Sequence, residues 1–313
     1  MKLEDVKKIA VFGAGTMGPG LAQVFATAGY DVALFSRSAE TLAKAMALVG
    51  SNLDTFVERG LLSAGAAEAS ITRIRTTQSV EEAGRGADLV VETIAEKLDA
   101  KQQLYEELDR TCPEHAIFTS NTSSLNVFGA VPARRLPQTV MAHFFAPPHI
   151  IPLVEVVPGP ETTSETVGLV AALLEAAGKS PVVMKKFGPG FIVNRIQRAI
   201  GETAMDMIDE GLAGPQEIDR AIKLTLGVRL PIVGVMQTFD FQGLDMLLLY
   251  QKNVGKVYRF IEEKVEEGAC GAKSGKGIYD YQGRSEAEIL KKRDDLYLKM
   301  LDYLTEIDAF EPV

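Results

Sequence analysis

Of the three histidines in this 313-residue chain, only His143 sits where a proton acceptor would be useful. It lies in MAHFFAPPHIIPLVEVV, at the end of an apolar run that reads as a strand. In α/β sheets the ligand crevice lies beyond the carboxyl ends of the strands, and an imidazole there can take a proton from an alcohol. Glu155 follows twelve residues later inside LVEVV, where a carboxylate between valines needs a partner. A glutamate accepting from the imidazole N–H would fix its tautomer and stabilise the imidazolium, which is the base–orienter logic of a catalytic pair. A structural histidine and a glutamate paired with some other helix is the competing reading, and spacing alone leaves both open. His115, in the turn CPEHA, reads as a surface residue.

Two more stretches carry polar groups at the ends of apolar elements. SNTSSLNV (120–127) follows a strand and could present Asn121 and Ser123 to the same crevice, and GFIVNRIQRA (190–199) puts Asn194 in the first turn of a helix. Serine and asparagine at helix starts also serve as caps. No metal site is expected, because the histidines lack ligand spacing and Cys112 and Cys270 stand alone. Hydride chemistry with an organic cofactor would need no ion.

The cofactor signal is FGAGTMG. Gly13, Gly15 and Gly18, with Thr16 and Met17 between the last two, follow an apolar strand and open a helix that ends at Gly29 before the next strand. That strand–turn–helix–strand unit is the context a dinucleotide-binding turn requires. The first glycine allows the tight turn, the second the approach of a pyrophosphate, and the third close helix–strand packing. The residue expected to hold the adenine ribose of NAD is an acid at the end of the second strand. Here VALFSRSAETL offers Ser36 and Arg37 instead. Removing the carboxylate and adding a guanidinium that can grip a phosphate favours NADP and leaves NAD open.

Positioning these residues falls to a series of short β-branched runs at 7–12, 31–35, 71–77, 87–94, 116–120, 139–145, 152–157 and 180–186. Several alternate with segments of helical period at 16–29, 38–59, 97–110 and 163–177. The alternation predicts a Rossmann-like doubly wound sheet, parallel at least in its first half. From FGPGFIVNR to about residue 265 the text is helical, punctuated by Gly211 and Gly214-Pro215. The expected organisation is therefore a dinucleotide-binding domain over 1–186 and an all-helical domain over 187–313.

A net charge of −9 and a pI near 5.1 argue against nucleic-acid or anionic-membrane partners. Two unpatterned cysteines favour a reduced, cytoplasmic protein. The N-terminal MKLEDVKKIAVFG does not read as a signal peptide, and no apolar run is long enough to span a membrane.

GAGTMG, VVETIAEKLDAK, SNTSSL, HFF, PLVEVV, GFIVNR and GAKSGKGIYDY, in this order, resemble the L-3-hydroxyacyl-CoA dehydrogenase family over residues 7 to about 281. The resemblance implies a Rossmann-like domain followed by a helical dimerisation domain, and hence a homodimer. It also implies reversible oxidation of the 3-hydroxyl of an acyl-CoA, in fatty acid metabolism. It gives His143 the role of base and Glu155 that of its orienting partner, with Ser123 and Asn194 at the reacting oxygen and the thioester. Glu96 and Lys101 would lie near the nicotinamide ribose, Lys273 would contact the cofactor, and Asn52 and Arg59 would contact CoA. The chain departs from the family pattern at Ser36, and at Ala146, where HFFAPP stands for HFFNP. PPHIIPLVEVVPGPETT and LGVRLPIVG also resemble the L-gulonate 3-dehydrogenase and lambda-crystallin branch. That branch implies a free hydroxy acid of gulonate or carnitine type as substrate, or a non-catalytic crystallin-like protein.

Overall fold

The computed structural model describes residues 1–311. Eight strands are present: β1 (Lys8–Phe12), β2 (Asp31–Phe35), β3 (Ile74–Thr77), β4 (Leu89–Glu92), β5 (Ile117–Ser120), β6 (Thr139–Phe144), β7 (Leu153–Pro158) and β8 (Ser180–Val183). They form one sheet in the order β3-β2-β1-β4-β5-β6-β7-β8. From β3 to β6 every pairing is parallel; β7 runs antiparallel to β6, and β8 parallel to β7. The register of the antiparallel pair sets His143 directly opposite Glu155. In strand geometry such opposed residues point to the same face.

Six helices cover the sheet: α1 (Gly18–Thr27), α2 (Ala39–Glu58), α3 (Ala64–Thr72), α4 (Val80–Gly84), α5 (Leu98–Thr111) and α6 (Ser164–Ala176). Ser38, Ser63, Ser79 and Thr163 cap four of them, each side chain accepting the backbone N–H of the residue three positions on. The helix α1 is buried along nearly its whole length, as an apolar helix packed on a sheet should be. Side chains alternate between two cores on opposite faces of the sheet. Val140, Ala142 and Phe144 of β6 join the core beneath α1, α2 and α6, whereas Met141 joins the other, with Phe118 and Phe191.

Six further helices follow: α7 (Val193–Asp209), α8 (Pro215–Leu224), α9 (Leu226–Gln242), α10 (Leu244–Asn253), α11 (Arg259–Glu266) and α12 (Glu286–Glu306). The chain packs into two compact units, 1–199 and 200–313, so the residues that open α7 stay with the sheet. Phe191 is buried in a core of the sheet unit, and the N–H groups of Ile192 and Val193 bond to Glu155. In the helical unit, α9 is broken at Gly234, which has φ 65°. Buried Asp240 accepts from Ile278 N, Tyr279 N and the Tyr281 hydroxyl, pinning the GAKSGKGIYDY segment.

Some expected elements shift. Residues 71–72 finish α3, so the strand begins only at Ile74, and 180–186 shortens to an edge strand ending at Val183. Alternation in ITRIRTT mimics a strand, but the alanine-rich, serine-capped run before it carries the helix through Thr72. The helices α3 and α4 have no counterpart in the sequence reading.

Candidate active site

The glycine turn leaves β1 and enters α1 with its first and third glycines packed against backbone. A Cβ on Gly13, whose φ is 119°, would lie 2.4 Å from Thr93 O, and one on Gly18 would lie 1.9 Å from Gly13 O. Gly15 faces open space. Met17 at the N-cap of α1 provides no side-chain cap, so N–H groups of the first turn remain available for an anion. Thr16 is exposed and Met17 half-buried beside them. These features fit a dinucleotide pyrophosphate: Gly13 and Gly18 close the turn, and Gly15 leaves its surface bare.

Three strands from β1 in the same sheet, His143 is the penultimate residue of β6, with 5% of its surface exposed. Its Nδ1 lies 2.8 Å from Glu155 Oε2. The other oxygen, Oε1, accepts from Ile192 N at 2.9 Å and Val193 N at 3.0 Å, at the start of α7. Burial pushes the Glu155 pKa up. The bond from His143, the two N–H groups and the imidazole charge outweigh burial and hold it below the ordinary carboxylate value. A carboxylate held ionised this way requires Nδ1 to carry the proton, which makes Nε2 the basic nitrogen. Nε2 makes no hydrogen bond among the described residues. Phe145 and Phe191 flank the ring at centroid distances of 4.5 and 5.4 Å. Phe191 adopts φ 51°, a conformation rare for a bulky residue, and lies directly before the two N–H donors.

Between the turn and the histidine, the ends of β4 and β5 are knitted by carboxylates. Glu92, fully buried at the end of β4, accepts from Lys101 Nζ (2.6 Å), Ile94 N (2.9 Å), the Tyr105 hydroxyl (3.1 Å) and the Ser120 hydroxyl (2.6 Å). Lys101 Nζ also lies 3.3 Å from Glu96 Oε2. Glu96 Oε1 accepts from the Thr122 hydroxyl at 2.5 Å and from Ser123 N at 3.1 Å. Asn194 Nδ2 donates to Ser123 O at 3.4 Å, so Ser123 and Asn194 are neighbours. Asn121 turns inward: its Oδ1 accepts from Phe144 N at 2.7 Å, bracing the end of the histidine strand.

The remaining expected residues are not all at this cluster. Ser36 directly follows β2 and its hydroxyl accepts from Ser38 N; Arg37 is exposed, with no side-chain partner among the described residues. Asn52 on α2 donates its amide to Gln23 Oε1 at 3.0 Å, and Arg59 caps the end of that helix, exposed to solvent. Neither forms a hydrogen bond with the His143 or Ser123 groups. Lys273 belongs to the helical unit and pairs there with Asp245 at 2.6 Å. Lys101, with 1% side-chain exposure, lies between Glu92 and Glu96. Sequence reasoning missed Glu92 and Thr122. For Glu92 the signal was present: an acid in the apolar run LVVETI poses the same question as Glu155 in LVEVV.

Comparison with known proteins settles the lineage. The family description "3-hydroxyacyl-CoA dehydrogenase, NAD binding domain" matches residues 8–187, and the C-terminal domain of the same name matches 190–281. The chain belongs to the 3-hydroxyacyl-CoA dehydrogenase family. It is an oxidoreductase of that family, with an NAD-binding domain. A "Probable 3-hydroxybutyryl-CoA dehydrogenase" of Bacillus subtilis (strain 168) is 37% identical over 290 residues, covering 90% of this chain and 99% of the relative. An L-carnitine dehydrogenase of Streptomyces griseus is 36% identical over 245 residues, covering 77% and 71%. The crystal structure of a 3-hydroxyacyl-CoA dehydrogenase from Archaeoglobus fulgidus superposes with a TM-score of 0.79 at 30% identity, covering 96% of this chain and 99% of that one. Within this dehydrogenase family the two domain matches end before α12, which lies beyond residue 281. Among the described residues no single helix is long and apolar enough to cross a membrane, and no cluster of side chains is arranged to hold a metal ion.

Proposed function

We propose that the chain catalyses the reversible oxidation of an L-3-hydroxyacyl-CoA, such as 3-hydroxybutyryl-CoA, to the 3-ketoacyl-CoA. The observation that carries this reading is the His143–Glu155 pair, with one imidazole nitrogen fixed by a buried carboxylate and the other left open. In the oxidative direction His143 Nε2 takes the proton of the 3-hydroxyl, and Glu155 stabilises the imidazolium that forms. Ser123 and Asn194 hold the reacting oxygen and the thioester end of the substrate. A dinucleotide would supply the hydride acceptor, its pyrophosphate held by the turn of Gly13, Gly15, Thr16, Met17 and Gly18. Glu96 faces the nicotinamide ribose, and Lys273 is a further cofactor contact. Asn52 and Arg59 contact the CoA portion; for Asn52 this means giving up or sharing its bond to Gln23.

NADP is the favoured cofactor, supported by exposed Arg37 beside a β2 end that lacks an acid. A homodimer formed through the helical unit is supported by exposed apolar side chains there, including Met205, Leu212, Met246, Leu249 and Tyr250. A cytoplasmic location and a place in fatty acid metabolism accord with the acidic composition and the family. A free hydroxy acid of carnitine type is the second reading, supported by the carnitine dehydrogenase relative and by Ala146 in HFFAPP. The deciding experiment is reduction of acetoacetyl-CoA with NADH and NADPH in parallel, set beside oxidation of free hydroxy acids. Turnover of the CoA ester, faster with NADPH, is expected. Activity confined to a free hydroxy acid would replace the first reading with the second.

A further inference from the structure

We propose that the end of the sheet remote from the glycine turn carries a second binding site, for a small organic phosphate with an apolar or aromatic body. The proposal is independent of the roles given to His143 and Glu155. A cavity of about 390 Å³ opens where β1, β2 and β3 begin, beside α4. Lys8 and Asp31 start β1 and β2 at this end. The turn of Gly13 and the pair Ser36 and Arg37 follow the other ends of the same two strands. Each strand has five residues, so about 16 Å separates the cavity end from the cofactor end. The floor is apolar and small: Ala33 of β2, Ala83 of α4 and Ala87 before β4 are buried, and all three line the cavity. The rim is cationic. Lys8, Arg73, Arg75 and Arg85 border it, with Asp31 the one acid among the described residues that line it.

Solitary solvated cations are ordinary on a protein surface. Here they come from β1, from the turn between α3 and β3, from β3 and from the end of α4, and all border one hollow. Four cations against one acid leave a local surplus of three positive charges in a chain whose net charge is −9. The Lys8 ammonium and the Arg73 guanidinium have no side-chain partner among the described residues. Arg75 donates to the Glu82 carbonyl at 3.0 Å, which ties it across from β3 to α4, and Arg85 pairs with exposed Glu81. Guanidinium groups grip phosphate oxygens bidentately, and a lysine adds a compact charge. A surplus of three suits a ligand with close to two negative charges, which a phosphate monoester carries near neutral pH and a monocarboxylate does not. The alanine floor offers no hydrogen-bonding side chain, so the body of the ligand is apolar there. The volume lies within the range of roughly 300–1,000 Å³ usual for small-molecule sites.

The test is isothermal titration calorimetry of the intact protein with phenyl phosphate, with NADH and NADPH both at saturation so that the dinucleotide site is filled. Binding of one phenyl phosphate per chain is expected. The double replacement Lys8→Gln with Arg73→Gln should weaken it by about tenfold or more. Both side chains are exposed and unpaired, so this variant should keep its melting temperature, and its dinucleotide affinity should stay within about twofold of wild type. Asp31→Asn removes the one opposing charge and should tighten binding, on the order of threefold. Inorganic phosphate, which lacks the apolar body, and benzoate, which carries a single charge, should each bind at least about fivefold more weakly. Absence of binding to the wild type overturns the proposal. Binding that the double replacement leaves unchanged overturns it too, because the ligand then sits elsewhere on the chain. Inorganic phosphate or benzoate binding as tightly as phenyl phosphate overturns the ligand class. A parallel loss of dinucleotide affinity in the double variant would tie the ligand to the cofactor turn and overturn a separate site.

Discussion

Two buried carboxylates close neighbouring parts of the same sheet, and they are wired differently. Glu92 ends β4 with four donors on its two oxygens, and its cation, Lys101, is enclosed between two acids. Glu155 on β7 has three donors, of which one is an imidazole whose far nitrogen remains unbonded. In the first arrangement the carboxylate is satisfied within the protein. The second has one open position and can pass a proton through it. Burial and charge are alike at the two places; what separates a scaffold from a site is the unused hydrogen-bonding position.

The contrast can be broken in order of expected effect. His143→Ala removes the open nitrogen, and kcat should fall by about 10² to 10⁴, or roughly 3 to 5 kcal/mol of transition-state stabilisation. Cofactor affinity, measured by fluorescence titration, should stay within about twofold. Glu155→Gln keeps the shape but loses the charge that stabilises the imidazolium. A drop in kcat on the order of 10² is expected, with a folded protein by circular dichroism. Collapse of the melting temperature without a specific loss of turnover would make Glu155 a second Glu92. Arg37→Ala lies outside both clusters and should weaken NADPH binding by about tenfold while leaving NADH binding nearly unchanged. Equal effects on the two cofactors would return Arg37 to the solvated surface.

The smallest effect concerns acid stability. The Glu155 pKa is depressed in the folded state, so its contribution is present above the ordinary carboxylate value and is lost as pH falls through the depressed one. Between about pH 5 and pH 3 the wild-type melting temperature should therefore fall more steeply than that of Glu155→Gln. Parallel falls would mean that Glu155 is not held ionised by its three donors.

What could be read from the residues was what depends on short spacing. The FGAGTMG turn is local, and the twelve-residue interval from His143 to Glu155 is a strand, a short loop and a strand, which antiparallel pairing turns into direct opposition. Partners that depend on distant pairing were not legible. Lys101 in AEKLDAK looks like an exposed helix residue until parallel packing of β4 and β5 encloses it, and Asn52 looks free until α1 brings Gln23 to it. The donors on Glu155 come from Ile192 and Val193, 37 and 38 positions away, and are backbone groups that no residue type announces. The helix α3 was hidden because a stretch ending in ITRIRTT alternates like a strand, while its start is set by the hydroxyl of Ser63.

The central claim is that His143 exchanges the substrate proton through its open nitrogen. The most direct test is the pH dependence of kcat/KM for 3-hydroxybutyryl-CoA oxidation, in wild type and in His143→Ala. The account predicts an acid limb in the wild type, where protonated imidazole cannot accept the proton, and a variant that is slower by about 10² to 10⁴ and has lost that limb. A variant that keeps the limb, or that turns over at the wild-type rate, would contradict it.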